Sequence, residues 1–297
     1  MACIEQKTDF NFLNWNKVVG SYTLAQLQAS GVPSVCDNIN SGEQGWNLST
    51  AVINQTFSTD TQDNNPYQMF FKPDGLKMYI VGTHNDNVYE YDLSTAWNIS
   101  TAVYLQSFDV SSQETFPFGL FFKPDGLKMY VIGTINNTVS EYDLSTAWDV
   151  TSAVYLQNKA VTGADTWAVF FKPDGLKMYI FNKQSKRIDE YNLSTAWDVS
   201  SSSALYQSYS ITDDNTPSGM WFKTDGTKCY VVGNNSNIII EYDLGTAWDI
   251  TTMVYLQQIS TGTETSPHNL FFKPDGTKMY LSGFISVRGI IEYDLTD

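Results

Sequence analysis

A ten-residue segment recurs five times along this chain at nearly constant spacing. The second copy reads FFKPDGLKMY (121–130), and close variants begin at Phe70, Phe170, Trp221 and Phe271. The lysine that follows the aromatic pair returns after 51, 49, 51 and 50 residues. A period of this size is typical of proteins that repeat one supersecondary unit in a stack or around an axis. The repeat therefore constrains the fold more than any other feature.

One period predicts four short strands joined by turns. In the second copy these are Leu120–Lys123, Lys128–Gly133, Thr138–Leu144 and Val154–Gln157. The Pro-Asp-Gly between the first two strands suits a tight hairpin, because proline presets φ and glycine accepts a positive φ. Runs such as LFF are continuously apolar, which is typical of a strand covered on both faces. The sequence therefore predicts five four-stranded antiparallel sheets.

The two ends of the repeat region complement each other. The last copy stops at IEYDLTD (291–297), where the others continue into a tryptophan link and a fourth strand. The segment GWNLSTAVINQTF (45–57) contains such a link and strand. We therefore predict an all-β, five-bladed β-propeller over residues 46–297, in which residues 46–58 supply the outermost strand of the last blade. The alternative, an open solenoid, does not require complementary ends.

Residues 1–45 lie outside the repeat and are expected to form an N-terminal arm. Within it, TLAQLQASG (23–31) predicts a short helix, and Cys3 and Cys36 are either bridged or free. The segment either docks on the propeller or attaches to another protein. Its beginning lacks the features of a secretory signal. No run of apolar residues approaches the length of a membrane helix, so membrane insertion is not expected.

Composition narrows the function classes. The formal net charge of -15 argues against nucleic acid as a partner. There are only two histidines, and the usual catalytic, metal and cofactor motifs are missing, so we expect no enzyme activity, no catalytic residues, no metal and no cofactor. An aspartate recurs after the third-strand tyrosine and is expected to open a turn by accepting backbone N–H groups, too sparsely for a calcium site. These residues are Asp92, Asp143, Asp243 and Asp294, with Asn192 in the third copy.

A tryptophan recurs once per blade, in the link before the fourth strand. We expect it to pack against the neighbouring blade, with a role in binding as the alternative. These are Trp46, Trp97, Trp148, Trp197 and Trp248. Cys229 stands where the other copies have methionine, so it is expected to be a buried apolar residue.

Strand alternation divides the loops between two faces. The loops after the first and third strands are nearly the same in every copy and define the uniform face. The loops after the second and fourth strands differ in every copy and define the varied face. Loops without a framework role are where binding residues concentrate. We therefore place function on the varied face.

One aligned position near the start of the first strand points to a candidate site. First strands line the axis of a propeller, so this position should ring the channel mouth on the varied face. It holds Tyr67, Phe118, Trp167, Ser218 and His268, with Asn85, Asn136 and Asn235 in nearby loops. Aromatic faces and amide groups are what sugar-binding sites use. A plug of core aromatics is the alternative.

The repeat core, LFFKPDG-x-KMYVIG-x-TVSEYDL, resembles the PDG-type propeller repeats of the YVTN and WD40-like families over residues 46–297. Five copies with LFF-x-P-x-G-x-x-Y and one tryptophan each also resemble the tachylectin-type lectins, although no sugar-contacting residue can be carried over. Consecutive repeats with EYDLSTAWD resemble open reading frames of aquatic phages and bacteria. The first resemblance implies the propeller fold but no single function, since such propellers include lactonases, surface-layer proteins and scaffolds. The other two imply glycan binding and a virion component.

Together these observations predict a non-enzymatic propeller that binds another macromolecule. The leading hypothesis is a phage virion component, assembled in the host cytoplasm, that contacts other virion proteins through residues 1–45. Its varied face would contact a partner such as a host-surface glycan. A free lectin-like protein, extracellular or at a cell surface, is the alternative, and a lactonase or other hydrolase is the third.

Overall fold

The computed structural model describes residues 45–284 and 288–295. The predicted arm falls almost wholly outside these residues, as do its helix and the question of a Cys3–Cys36 bridge. Within the described residues, twenty strands form five four-stranded antiparallel sheets arranged as a β-propeller. The predicted all-β fold class and the number of blades are confirmed.

The strands are numbered in chain order. Blade 1 contains β2 (Pro66–Phe71), β3 (Lys77–Gly82), β4 (Asn87–Leu93) and β5 (Ala102–Asp109). Blade 2 contains β6 (Pro117–Phe122), β7 (Lys128–Gly133), β8 (Thr138–Leu144) and β9 (Ala153–Ala160). Blade 3 contains β10 (Thr166–Phe171), β11 (Lys177–Asn182), β12 (Arg187–Asn192) and β13 (Gln207–Ser210). Blade 4 contains β14 (Pro217–Phe222), β15 (Lys228–Gly233), β16 (Ile238–Leu244) and β17 (Met253–Ser260). Blade 5 contains β18 (Pro267–Phe272), β19 (Lys278–Gly283), β20 (Gly289–Asp294) and β1 (Val52–Ser58).

Blade 5 differs from the others in chain connectivity. Its strand order is β18-β19-β20-β1, and β1 pairs antiparallel with β20, with Phe57 opposite Ile290 and Val52 opposite Asp294. Strand β1 therefore stands where β5 stands in blade 1. The inner strand β18 contacts β2 of blade 1 just as β2 contacts β6. A single 3₁₀ turn precedes each outer strand, at Leu48–Thr50, Ile99–Thr101, Val150–Ser152, Val199–Ser201 and Ile250–Thr252.

The predicted strand boundaries hold best in the middle of a blade. In blade 2, β7 and β8 match the predicted strands residue for residue. The first strand begins at Pro117, three residues earlier than expected, and ends before Lys123, whose N–H donates across the hairpin to the carbonyl oxygen of Lys128. All of β6 is buried, as the apolar run predicts. Cys229 is also buried, and burial raises the pKa of its thiol, in keeping with a small apolar residue.

The link tryptophans join neighbouring blades. Trp148 of blade 2 lies 5.6 Å from the ring of Phe122 in its own blade and 6.1 Å from Tyr79 of blade 1. The Tyr79 hydroxyl donates to the Trp148 carbonyl oxygen at 2.6 Å. Gly126 approaches so closely that a Cβ there would lie 2.4 Å from the indole. The predicted packing against the adjacent blade is confirmed, and it explains why the Pro-Asp-Gly turn needs glycine.

Each of these tryptophans has an unusual backbone. Trp46, Trp97, Trp148, Trp197 and Trp248 have φ between 63° and 67°. A bulky residue rarely adopts this left-handed conformation. At Trp148 it is fixed because the N–H donates to the Gly126 carbonyl oxygen at 3.0 Å while the carbonyl oxygen accepts from Tyr79.

Candidate functional site

The uniform face is occupied by ion pairs within each blade. In blade 2, Lys123 pairs with Asp125 at 2.7 Å, and Lys128 pairs with Asp143 at 2.7 Å. Burial alone would lower the pKa of Lys128, but its hydrogen bonds to Asp143 and Glu141 outweigh burial and raise the pKa. These lysines therefore serve the framework rather than a ligand.

The recurring aspartate after the third-strand tyrosine does not have the predicted role. The carboxylate of Asp143 accepts a hydrogen bond from the Lys128 ammonium rather than opening a turn. The turn-opening role belongs instead to the residue after the link tryptophan. There Asp149 accepts from the N–H of Thr151 at 3.0 Å and starts the 3₁₀ turn. Lys128, two residues after the hairpin glycine, lies opposite Asp143 in the paired strands, so its ammonium group reaches the Asp143 carboxylate.

Each blade contains a buried glutamate, and in blades 1, 2 and 5 it accepts a hydrogen bond from a main-chain N–H of the next blade. Glu141 accepts from Lys128 Nζ at 2.5 Å, from Gln157 Nε2 at 3.0 Å, and from the N–H of Val199 in blade 3 at 3.0 Å. A buried carboxylate is tolerated when it is fully hydrogen-bonded in this way. The position is glutamate in all five blades, namely Glu90, Glu141, Glu190, Glu241 and Glu292.

The side chains at the aligned position predicted to ring the channel mouth lie together at the axis. We call these five residues the axial plug: Tyr67, Phe118, Trp167, Ser218 and His268. Tyr67 stacks on His268 with centroids 4.3 Å apart, and Phe118 stacks on Trp167 at 4.7 Å. The two stacks meet edge to face, with Tyr67 and Phe118 separated by 4.1 Å.

Neighbouring side chains cover both ring faces of Trp167 in the axial plug. One face of Trp167 is covered by Phe118, and Lys183 Nζ lies 3.2 Å from the centroid of the same indole. Since a single ring face cannot hold both neighbours at these distances, the two faces of Trp167 are both occupied. Its Nε1 donates to the Asp165 carboxylate at 2.7 Å. Such a tryptophan can present its rim to a ligand, but not a free face.

A second aromatic layer fills the axis below the plug. Each of its rings lies 4.5 to 5.5 Å from the next around a closed circle. The members are Phe70, Phe121, Phe170, Trp221 and Phe271. Aromatic side chains therefore occupy the first-strand positions that would otherwise line a channel. In the part of the chain that the structure describes, no group of three or more His, Cys, Asp or Glu side chains is placed to hold a metal ion.

Among the five residues of the axial plug, only His268 has a side chain that titrates near neutral pH in an unfolded chain. Its Nδ1 lies 3.1 Å from the Pro66 carbonyl oxygen. Burial lowers its pKa to about 4. The imidazole is therefore neutral at pH 7, when a donating Nδ1–H satisfies the Pro66 carbonyl.

The predicted asparagines lie on the varied face away from the plug. Asn85 and Asn136 donate from their side-chain amides to the carbonyl oxygens of Gln62 (3.1 Å) and Gln113 (2.7 Å), which ties hairpin loops to inter-blade loops. Asn235 is exposed, and its main-chain N–H donates to Thr216. The structure thus brings the aromatic candidates together but does not place these amides beside them.

Sequence reasoning missed a carboxylate that organises the varied loops. Glu114 is buried three residues before the first-strand proline, and it accepts from the N–H groups of Phe116 (3.0 Å) and Asn136 (3.3 Å). Its side chain packs against Gly133, where a Cβ would lie 2.4 Å from the Glu114 Cγ. The same position is Asp63, Asp214 and Glu264 in three other blades. At Asp63, burial outweighs the backbone hydrogen bonds and raises the pKa.

Blade 3 exchanges this pair of residues. Gly163 stands where the other blades have the carboxylate, and Asn182 stands where they have glycine. A Cβ on Gly163 would lie 1.7 Å from the Asn182 amide, so the side chain now fills the same space from the opposite strand. Asn182 accepts from the N–H of Ser185 at 3.1 Å. The loops stay joined although the buried position holds no carboxylate in blade 3, where Asp165 is the carboxylate of the same loop. Aligning the loops with the strand ends of the five copies would have shown this exchange.

The comparisons with known proteins show the fold. No family model matches the chain, and no curated protein matches it. A crystal structure of a Lactobacillus plantarum protein aligns with a TM-score of 0.50 and 15% identity, covering 74% of this chain and 64% of that one. Hydrazine synthase of Kuenenia stuttgartiensis aligns at 0.48 with 16% identity, covering 80% and 59% respectively. A candidate 6-phosphogluconolactonase of Bacteroides uniformis aligns at 0.48 with 16% identity, covering 77% and 71%.

The chain thus spans less than two thirds of the Lactobacillus and Kuenenia proteins. At these identities the likeness extends to the propeller fold alone. None of the helical segments in the described residues has the length and hydropathy of a membrane span. The conclusion that the molecule itself supports is a five-bladed β-propeller with four-stranded antiparallel blades.

Proposed function

We propose that this protein is a non-enzymatic binding propeller that presents its varied face to another macromolecule. One observation carries the proposal: the repeated polar residues are engaged in holding blades together, whereas the loops of the opposite face differ from blade to blade. Lys128, Glu141 and Tyr79 are all bound within the framework. Apart from the buried position that ties them to the strand ends, the varied loops can therefore diverge without loss of the fold.

The filled axis supports a binding role over hydrolysis. A propeller hydrolase would need acids, histidines or a metal around its channel. Here the axis holds two layers of aromatic rings. We therefore rank a lactonase or other hydrolase last, and measurable turnover of lactone or ester substrates by the purified protein would reverse that order.

We propose further that the propeller is a virion component, with residues 1–45 as the segment that contacts other virion proteins. A rigid disc that presents one variable face suits a decoration, fibre or receptor-binding protein. The test is mass spectrometry of particles made from the genome that encodes the chain. We expect intact protein in the particles and no protein after deletion of residues 1–40. Equal incorporation of both forms would contradict the attachment role.

The binding face can be tested without knowing the ligand. One variant replaces the varied-face hairpins 83–87 and 134–138 by the corresponding hairpin of blade 4 (234–238). A matched control replaces KTDGTK (223–228) on the uniform face by KPDGLK. Both are assayed against a panel of immobilised bacterial cells, glycans and surface proteins. Loss of binding in the first variant alone is expected. Equal loss in both, or in neither, would contradict the assignment of the varied face.

The lectin alternative uses the same face. It differs from the virion proposal in predicting full glycan binding without residues 1–45 and no incorporation into particles.

A further inference from the structure

Basic residues on the varied face concentrate in blade 3. Ten of the seventeen basic residues belong to the uniform-face hairpins. The blade 3 hairpin NKQSKR (182–187) carries three more, in a chain whose net charge is -15. Arg187 pairs with Asp189 at 2.5 Å, which leaves Lys183 and Lys186 as the excess positive charge.

In blade 3 the buried loop position that holds a carboxylate in the other four blades is neutral. In the other four blades the loop carboxylate lies beneath the hairpin, as Glu114 does in blade 2. In blade 3 the neutral Asn182 takes its place and directly precedes Lys183. A buried carboxylate this close to two lysines would attract them and compete with an outside anion. Blade 3 has no carboxylate at this buried position, and the carboxylate that attracts Lys183 is instead that of Asp165 in the adjoining loop.

Lys183 is held by an aromatic ring and not by a carboxylate. Its ammonium lies 3.2 Å from the Trp167 centroid, and it has no ion pair among the described residues. By contrast, the lysines of the uniform face pair with aspartate or glutamate. Burial lowers the pKa of Lys183, and the attraction of Asp165 opposes this shift. The indole orients the ammonium while leaving its N–H donors available.

Lys186 occupies a strained backbone position. Its φ is +51°, and the equivalent hairpin residues are Asp86, Asn137 and Asn237. Asparagine and aspartate tolerate this left-handed conformation better than lysine does. The local backbone therefore does not favour lysine here. An unfavourable residue retained at a loop tip points to a role for its side chain.

Blade 2 supplies an apolar surface beside this hairpin. Phe116 is 48% exposed and Ile135 is 55% exposed, and they lie on adjoining loops of the varied face. These loops are bonded to blade 3, because Asn137 Oδ1 accepts from the N–H of Asp165 at 3.1 Å. The aromatic and basic groups are therefore carried on connected loops of neighbouring blades.

We propose that the loops of blades 2 and 3 on the varied face form a binding site for an acidic glycan. Lys183 and Lys186 bind a carboxylate or sulfate group, and the exposed ring of Phe116 packs against the C–H face of a sugar. The site rests on the proposed function only in taking the varied face as the binding face. Charge complementarity selects the ligand class, since an acidic chain of net charge -15 binds an anion only where positive charge is locally in excess.

The test measures affinity by calorimetry for three matched probes: lactose, sialyllactose and sulfated lactose. An aspartate-rich peptide that contains one phenylalanine is the fourth probe. The full-length protein is compared with Lys183→Gln and Lys186→Gln. The control is Lys159→Gln in the adjacent blade 2, which removes the same charge from a lysine that donates to the Ser202 carbonyl oxygen at 3.0 Å. Lys183→Arg tests whether restored charge restores binding.

We expect binding of an acidic sugar and a loss of about tenfold in affinity for each of the two glutamine variants, because a hydrogen bond to a charged group is lost. The control should stay within about twofold, because weak long-range charge effects are screened by salt. Sialyllactose and sulfated lactose distinguish a carboxylate from a sulfate ligand. Equal affinity for lactose and both acidic sugars overturns the site assignment while the varied face remains a binding face. Binding of the peptide alone, of no acidic sugar, or of acidic sugars unchanged by both variants, also overturns it.

Discussion

The hydroxyl of Tyr230 in blade 4 donates to the main-chain carbonyl oxygen of Trp46, 184 residues earlier in the chain, at 3.2 Å. The same bond joins each other pair of neighbouring blades at 2.6 or 2.7 Å. The indole of Trp46 also stacks on Phe272 of blade 5 at 5.1 Å. Trp46 thus makes in blade 5 the contacts that the link tryptophans make in the other blades.

Because this tyrosine–tryptophan hydrogen bond recurs between neighbouring blades, we expect its loss to lower the free energy of unfolding by a similar amount at each place. Tyr130→Phe and Tyr230→Phe should each lower the free energy of unfolding by about 1–3 kcal/mol, because a buried tryptophan carbonyl loses its partner. Urea unfolding measures the cost, and Tyr104→Phe, whose ring is 42% exposed, serves as the control with little change. A cost for Tyr130→Phe with none for Tyr230→Phe would show that Trp46 is not part of the ring.

A hairpin glycine, Gly126, and a link glycine, Gly245, give a second matched comparison. Gly126 has φ +75° and a Cβ there would lie 2.4 Å from the Trp148 indole, whereas Gly245 has no atom closer than 3.7 Å. Gly126→Ala should destabilise by about 2 kcal/mol or more, through backbone strain and displacement of the indole. Gly245→Ala should be close to neutral. Similar melting temperatures for the two variants would contradict the tight glycine–tryptophan contact.

The regular part of this fold was predictable because a fivefold repeat multiplies every local signal. The bounds of the middle strands β7 and β8 could be predicted, since turn residues flank their apolar runs on both sides. The start of β6 was missed at Pro117, because the prediction began with the apolar run at Leu120, whereas proline is tolerated as the first residue of a strand. The role of Asp143 was missed because the reach of Lys128 depends on which side of the strand pair each residue faces.

The candidate site was predictable only in position. The place of Tyr67 and His268 at the axis follows from the start of the first strand in each blade. Whether these rings face a ligand or each other depends on the distance between opposite blades, which the sequence does not encode locally. The exchange of Gly163 and Asn182 acquires its meaning only when the loop and the strand end are known to touch.

The phenylalanines of blade 2 separate packing from binding. Phe118 belongs to the axial plug and is buried, so Phe118→Ala should lower the free energy of unfolding by about 3 kcal/mol or more. Phe116→Ala removes an exposed ring and should change stability by less than about 0.5 kcal/mol, while weakening binding of an acidic glycan. Thermal unfolding compares the two. Equal stability would mean that the plug is not packed as described.

His268 predicts a dependence of stability on pH. Its folded-state pKa of about 4 is below the unfolded value of 6.5, so the unfolded chain binds the extra proton first. The stability due to a neutral His268 is therefore present above pH 6.5 and is lost as pH falls toward 4. The loss is on the order of 3 kcal/mol. His268→Gln should flatten the profile between pH 4 and 6.5. An unchanged slope would contradict a buried, neutral imidazole.

The architecture depends on strand β1 as the outermost strand of blade 5, and amide hydrogen exchange of residues Val52–Ser58 tests it most directly. Their paired amides should exchange at rates within about tenfold of those in β9, because both strands are hydrogen-bonded to the third strand of a blade. Exchange of Val52–Ser58 at the rate of an unstructured peptide, with β9 still protected, would contradict a ring closed by the two ends of the repeat region.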